Sequence, residues 1–130
     1  MGLDNGIIVK YQSTLGDKIQ GICYYDFGNG EIEVAYWRKC WNVRRAIFNA
    51  IYSDGEDYET YFDLDDLYRI IEALKGFNEE NWSGDSWDDG SIWEWDEYKE
   101  FHLANIARLE RLAEIMAEHP DLEAYFYDSY

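Results

Sequence analysis

Four side chains in this sequence have the donor chemistry to hold a soft metal: Cys23, Cys40, His102 and His119. None stands in a C-x-x-C or H-x-x-x-H pair, so folding would have to assemble any site. The combination to test is Asp4 before the first strand, Cys40 opening the first helix and His102 in the third. With water or an acidic neighbour as fourth ligand, these three would hold a structural Zn²⁺. Two patterns oppose it: Cys40 falls on an apolar helical stripe, and His102 shares a face with Ile106 and Leu109. Both are places where core residues sit. The acids of 85–97 lack the ligand spacing of an EF-hand loop for Ca²⁺. In a chain without a secretory signal, the two cysteines read as free core thiols rather than a disulfide.

Catalytic patterns are missing from the sequence. It contains no G-x-S-x-G elbow and no G-x-x-x-x-G-K-[ST] phosphate cradle, and neither His stands in a known motif. Neighbouring carboxylates abound, but in so acidic a chain their proximity has no diagnostic value. The sequence reads as non-enzymatic.

Charge is the stronger signal. The 130 residues carry 28 Asp and Glu against 11 Lys and Arg, a formal charge of -17. Between Asp54 and Glu100 stand 17 acids and three bases, so most of the field comes from one continuous stretch. Duplex DNA carries one negative charge per about 1.7 Å of axis, a density that carboxylates on loops and helix faces can imitate. Such a surface would dock into a basic groove built for nucleic acid, and would itself repel a phosphate backbone. The residues expected to make this contact are Asp85, Asp88, Asp89, Glu94, Asp96 and Glu97. Four of the six tryptophans, Trp82, Trp87, Trp93 and Trp95, lie in the same stretch. Trp is enriched at interface hot spots, and Trp82 and Trp87 are the pair expected to be exposed as anchors. Alternation lets Trp93 and Trp95 fold toward the core. A second charged feature is basic: Arg38, Lys39, Arg44 and Arg45 flank the first predicted helix.

The elements that must position these residues follow from periodicity. β-Branched and aromatic runs at Gly6–Tyr11, Lys18–Phe27 and Glu31–Trp37 predict three strands. Gly28-Asn29-Gly30 forms the stronger hairpin turn. From Arg38 to about Tyr52 the period is helical, with Cys40, Val43, Ile47, Ala50 and Ile51 on one stripe. A second helix is capped by Asp63 with Asp66 three residues on, and its stripe is Leu67, Ile70, Ile71, Leu74 and Phe77. A third spans about Asp96 to Glu118, with Tyr98, Phe101, Leu109, Leu112 and Met116 facing inward and Pro120 beyond its end. The tail from Leu122 to Tyr130 suits a strand or a short helix. The expected fold is α+β, one domain over 1–130, a small antiparallel sheet of about three strands packed against about three helices. Its 18% aromatic content is enough to close a core despite the charge. No apolar run has the length of a membrane span and no signal peptide opens the chain, so a cytoplasmic setting is expected.

Met1-Gly-Leu-Asp4, the Glu33–Lys39 segment containing Tyr-Trp-Arg-Lys, and Gly90-Ser-Ile-Trp-Glu-Trp-Asp-Glu-Tyr98 together resemble a family. It comprises small phage and prophage proteins of Gram-positive bacteria. Members often carry Ala-Asn after Tyr-Trp-Arg-Lys and a His one turn on, where this chain has Cys40, Trp41 and Arg44. The resemblance implies phage origin. Small acidic aromatic-bearing phage proteins are similar in type to anti-CRISPR and anti-restriction inhibitors, many of which occupy DNA-binding surfaces of nucleases. The function expected is inhibition of a host CRISPR effector nuclease or restriction enzyme by blocking nucleic-acid loading. The alternative is a phage structural or regulatory protein that binds a partner through the basic helix, with or without a structural zinc.

Overall fold

Asn5, Ile7 and Val9, alternate residues of the first strand, are fully buried on one face. That face is the floor of the core. The computed structural model describes residues 4–11, 15–38, 40–53, 58–82 and 94–129. They form β1 (Asp4–Lys10), α1 (Gly16–Gln20), β2 (Tyr25–Asp26), β3 (Glu31–Arg38), α2 (Trp41–Ala50), β4 (Glu59–Phe62), α3 (Leu64–Lys75), α4 (Trp95–Glu118) and β5 (Glu123–Ser129). The strands make one antiparallel sheet in the order β2-β3-β1-β5-β4.

The class is therefore α+β, with five strands rather than three and four helices rather than three among the described residues. Three local differences account for the change. The strand expected over Lys18–Phe27 is mostly not one. Ile19 and Ile22, three apart, are both fully buried while Lys18 and Gln20 are exposed, which is helical spacing, so α1 forms and only Tyr25–Asp26 pair with β3. The tail becomes β5, because Ala124, Phe126 and Asp128 alternate inward beside β1. β4 is four residues inside the acidic stretch and buries only Phe62 deeply, too weak a pattern to read in advance.

The expected punctuation is present elsewhere. Gly28 and Gly30 both have φ of 85°, and Phe27 N–H donates to the Glu31 carbonyl at 3.0 Å to close the β2–β3 turn. Asp63 caps α3 reciprocally with Asp66, each side chain accepting from the other's backbone N–H. The α3 stripe Leu67, Ile70, Ile71 and Leu74 is buried as its spacing requires. α2 starts later than expected, since Arg38 still belongs to β3 and Cys40 is the N-cap residue. It ends in a Schellman turn: Ser53 N–H donates to the Phe48 carbonyl at 2.9 Å, and Tyr52 adopts a left-handed φ of 57°.

Helices cover one sheet face. Phe48 of α2 meets Phe126 of β5 edge-on, Trp37 of β3 meets His102 of α4, and α3 contacts both α2 and α4. α4 also closes an edge. β2 pairs only with Ile32 and Glu33, so among the described residues the rest of β3 has no outer strand there. Asn105 bonds both backbone groups of Tyr36, and Arg108 Nε donates to the Val34 carbonyl at 2.6 Å. A regular β1–β3 register is interrupted between Ile7 and Ile8, which places Val34 at a bulge. No described helix is long and apolar enough to cross a membrane.

Candidate interaction surfaces

The three residues considered for zinc do not share a site. Among the described residues no group of three His, Cys, Asp or Glu is placed to hold a metal. His102 is fully buried, and both its nitrogens are engaged: Trp37 Nε1–H donates to Nδ1 at 3.2 Å, and Nε2 lies 3.0 Å from the Leu74 carbonyl. An indole N–H only donates and a carbonyl only accepts, so the neutral Nε2–H tautomer is the one that satisfies both. Burial holds the imidazole below its usual pKa, with the Leu74 carbonyl opposing it. Cys40 is a buried thiol directed to the Arg38 carbonyl at 3.4 Å. Asp4 lies on the other face of the sheet and accepts from the Tyr36 hydroxyl at 2.6 Å. These are a core histidine, a core thiol and a strand-end acid.

Around His102 the aromatics converge. Trp82 lies 5.2 Å, Phe77 5.6 Å and Trp95 5.9 Å from its ring, and Trp82 also meets Tyr98 at 5.4 Å. Trp82 is only 2% exposed, which corrects its assignment as a surface anchor. The reason is the turn beneath it. Asn78 and Asn81 bond each other's backbone and Asn81 Nδ2 donates to the Gly76 carbonyl at 2.9 Å, folding the chain after α3 back over the core. Apolar area then favours placing the indole against Phe77 and His102 rather than in water.

The acids at the start of α4 do face solvent. Glu94, Asp96 and Glu97 are exposed and form no ion pair with any described residue. Glu94 is the N-cap residue and Asp96 and Glu97 stand on the first turn, positions that suit the positive end of the helix dipole. Exposed Glu79, Glu80 and Glu100 belong to the same part of the chain. Asp85, Trp87, Asp88 and Asp89, also expected in this surface, lie outside the described residues.

The basic helix is partly structural. Arg44 pairs through Nε with Asp128 at 2.5 Å, and Asp128 is 4% exposed, so this guanidinium ties α2 to β5. It also stacks on the ring of Phe48 at 4.8 Å.

A feature not anticipated from sequence is the second face of the sheet, which no described helix covers. The β1–β3 and β1–β5 registers place Lys10, Ile8, Gly6 and Asp4 there with Glu31, Glu33 and Tyr36 on one side and Glu123, Tyr125 and Tyr127 on the other. β4 adds Tyr61 and Glu59, opposite Tyr125 and Tyr127. At its centre Glu33 is 5% exposed and accepts from the Tyr127 hydroxyl at 2.5 Å. Its Oε2 hangs over Gly6, where a Cβ would stand 2.5 Å from that oxygen and 2.6 Å from the Ala35 carbonyl, so only glycine fits. Burial pushes the Glu33 carboxyl up to about 7, with Tyr127 opposing and Asp4 reinforcing. Burial and Asp4 likewise push the Tyr36 hydroxyl up to about 12. The partners on this face come from β5, distant in sequence, so no local pattern announced it.

Comparison with known proteins finds no matching family model, no matching curated protein and no matching solved structure.

Proposed function

We propose that the chain is a phage inhibitor of a host defence nuclease, of the anti-CRISPR or anti-restriction type, acting in the bacterial cytoplasm by binding rather than by chemistry. The observation that carries it is the exposed acids Glu94, Asp96 and Glu97, which form no ion pair with any described residue, on a chain of charge -17. In this reading the cluster, continued by Asp85, Asp88 and Asp89, engages basic residues that otherwise hold nucleic acid. Trp87 serves as the aromatic anchor; Trp82 takes no part, being core. The phage assignment rests on the Met1–Asp4, Glu33–Lys39 and Gly90–Tyr98 resemblance.

The test is capture of guide-loaded CRISPR nucleases and restriction enzymes of Gram-positive hosts, with and without prior target DNA. Capture that prior DNA abolishes, and that Glu94→Gln, Asp96→Asn and Glu97→Gln together weaken, is the expected result. Capture indifferent to DNA would remove the blocking mechanism. No capture across the panel would remove the nuclease as partner.

A further inference from the structure

The uncovered sheet face differs from the rest of this acidic surface in being built of tyrosine. Tyr25, Tyr36, Tyr61, Tyr125 and Tyr127 lie on it and Tyr58 stands at its margin, six of the chain's twelve tyrosines. Tyr25, Tyr58 and Tyr61 are 58%, 61% and 47% exposed. Carboxylates are interleaved with them: Asp4, Glu31, Glu33, Glu59 and Glu123, against Lys10 and Arg38.

The face already holds one cation of its own. Lys10 Nζ lies 5.1 Å from the Tyr61 ring centroid and 5.5 Å from that of Tyr125, and donates to the Tyr61 hydroxyl. Glu31 and Glu123 flank it as its register partners, and both raise its pKa after the larger effect of Tyr61. Aromatic faces plus nearby carboxylates are what a cation-π site requires. The same set recurs one register step along, where Tyr58 lies 6.5 Å from Tyr127 and Glu59 is directly opposite Tyr127. No described cationic side chain lies over Tyr58 or Tyr127.

We infer that the uncovered sheet face is a docking surface for an arginine-rich protein segment, with Tyr58, Tyr127 and Glu59 receiving a guanidinium as Tyr61, Tyr125 and their flanking acids receive Lys10. Charge complementarity selects the occupant: the face is net acidic, so a nucleic-acid backbone is repelled, and an uncharged peptide would bring no counter-charge to Glu59. Guanidinium, planar and weakly hydrated, suits an aromatic surface such as the tilted Tyr58–Tyr127 pair better than ammonium. Tyrosine supplies contact area at low conformational cost, as it does in other recognition surfaces. The inference is separate from the nuclease reading, because it concerns the sheet rather than α4 and needs no nuclease to test.

The experiment titrates the protein with a fluorescent peptide of alternating arginine and glycine, at low and moderate salt. Tyr58→Leu with Glu59→Gln should weaken binding by about ten-fold, from one lost cation-π contact and one lost ion pair. The lysine counterpart should bind more weakly than the arginine peptide. Glu94→Gln, Asp96→Asn and Glu97→Gln together should cost less than about two-fold, the remainder of long-range attraction. Both positions changed in the sheet variant are exposed, and unchanged thermal unfolding confirms that it folds. Equal loss in the α4 variant, an unaffected sheet variant, or no binding by the unmodified protein would overturn the inference.

Discussion

The side-chain amide of Asn105 makes the two hydrogen bonds to Tyr36 that a neighbouring strand would make: Oδ1 accepts from its N–H at 3.3 Å, and Nδ2 donates to its carbonyl at 2.9 Å. Arg108 Nη2 donates to the same Oδ1 at 2.6 Å, which holds the amide in place. α4 thus substitutes for a strand where β2 stops. An unpaired edge is a template for aggregation, and covering it with a helix removes the template. Asn105→Ala would leave buried backbone groups unpaired. It should lower stability by about 2–4 kcal/mol, measured by urea unfolding.

His102 and Glu33 make opposite contributions to stability as pH changes. The His102 pKa is lowered in the fold, so below about 6.5 the unfolded chain binds a proton that the folded one refuses, and stability falls as pH falls. The Glu33 pKa is raised from 4.5 to about 7, so its contribution is complete below 4.5 and is lost as pH rises toward about 7. Below about 6.5 the two slopes therefore oppose each other wherever both groups are still titrating. Each full single-proton slope is about 1.4 kcal/mol per pH unit. Unfolding measured across this window should therefore show Glu33→Gln losing stability toward acid relative to wild type. His102→Gln should instead lose it toward neutral pH. Parallel profiles for all three proteins would contradict the assignments.

Tyr52 occupies the left-handed position that ends α2 and is 85% exposed. A left-handed backbone costs a side-chain-bearing residue about 1 kcal/mol, and glycine is the usual occupant. Tyr52→Gly should raise the urea midpoint, relief of the left-handed strain exceeding the loss of the Arg69 guanidinium stacked 5.5 Å from the ring. A lower midpoint would mean that this stacking outweighs the strain.

Arg44→Ala should destabilise the fold by about 3 kcal/mol, because it strands the buried Asp128 carboxylate. Arg44→Met with Asp128→Leu should recover much of the loss. A partner-binding test of the basic helix therefore has to track folding alongside affinity.

Addition or chelation of zinc should leave the melting temperature unchanged, since both His102 nitrogens are already engaged. A fall on chelation would show that a metal is held after all.

Features encoded in a few adjacent residues were legible. Asp63 and Asp66 announce the start of α3, Gly28 and Gly30 announce a turn, and the Leu67–Leu74 stripe announces a buried helix face. Less legible were features whose local pattern serves two structures. Ile19 and Ile22 fit a strand run by composition but a helix by spacing, and Leu122 to Tyr130 fitted either. Trp82 fitted a binding loop by its acidic neighbours, yet the Asn78–Asn81 turn carries it inward.

By itself, the sequence determined the α+β class, the concentration of charge, the main helices and the α3 cap, because these depend on contacts within a turn or two of chain. Only the tertiary structure decided that His102 is an occupied core imidazole, and that β4 and β5 complete the sheet. It also decided that Glu33 is buried beneath a tyrosine from the far end of the chain. Glu33 and Tyr127 are 94 residues apart, and their hydrogen bond exists only because β1 stands between β3 and β5. Strand order is set by which faces can be buried together, a property of the whole folded chain that no local spacing encodes.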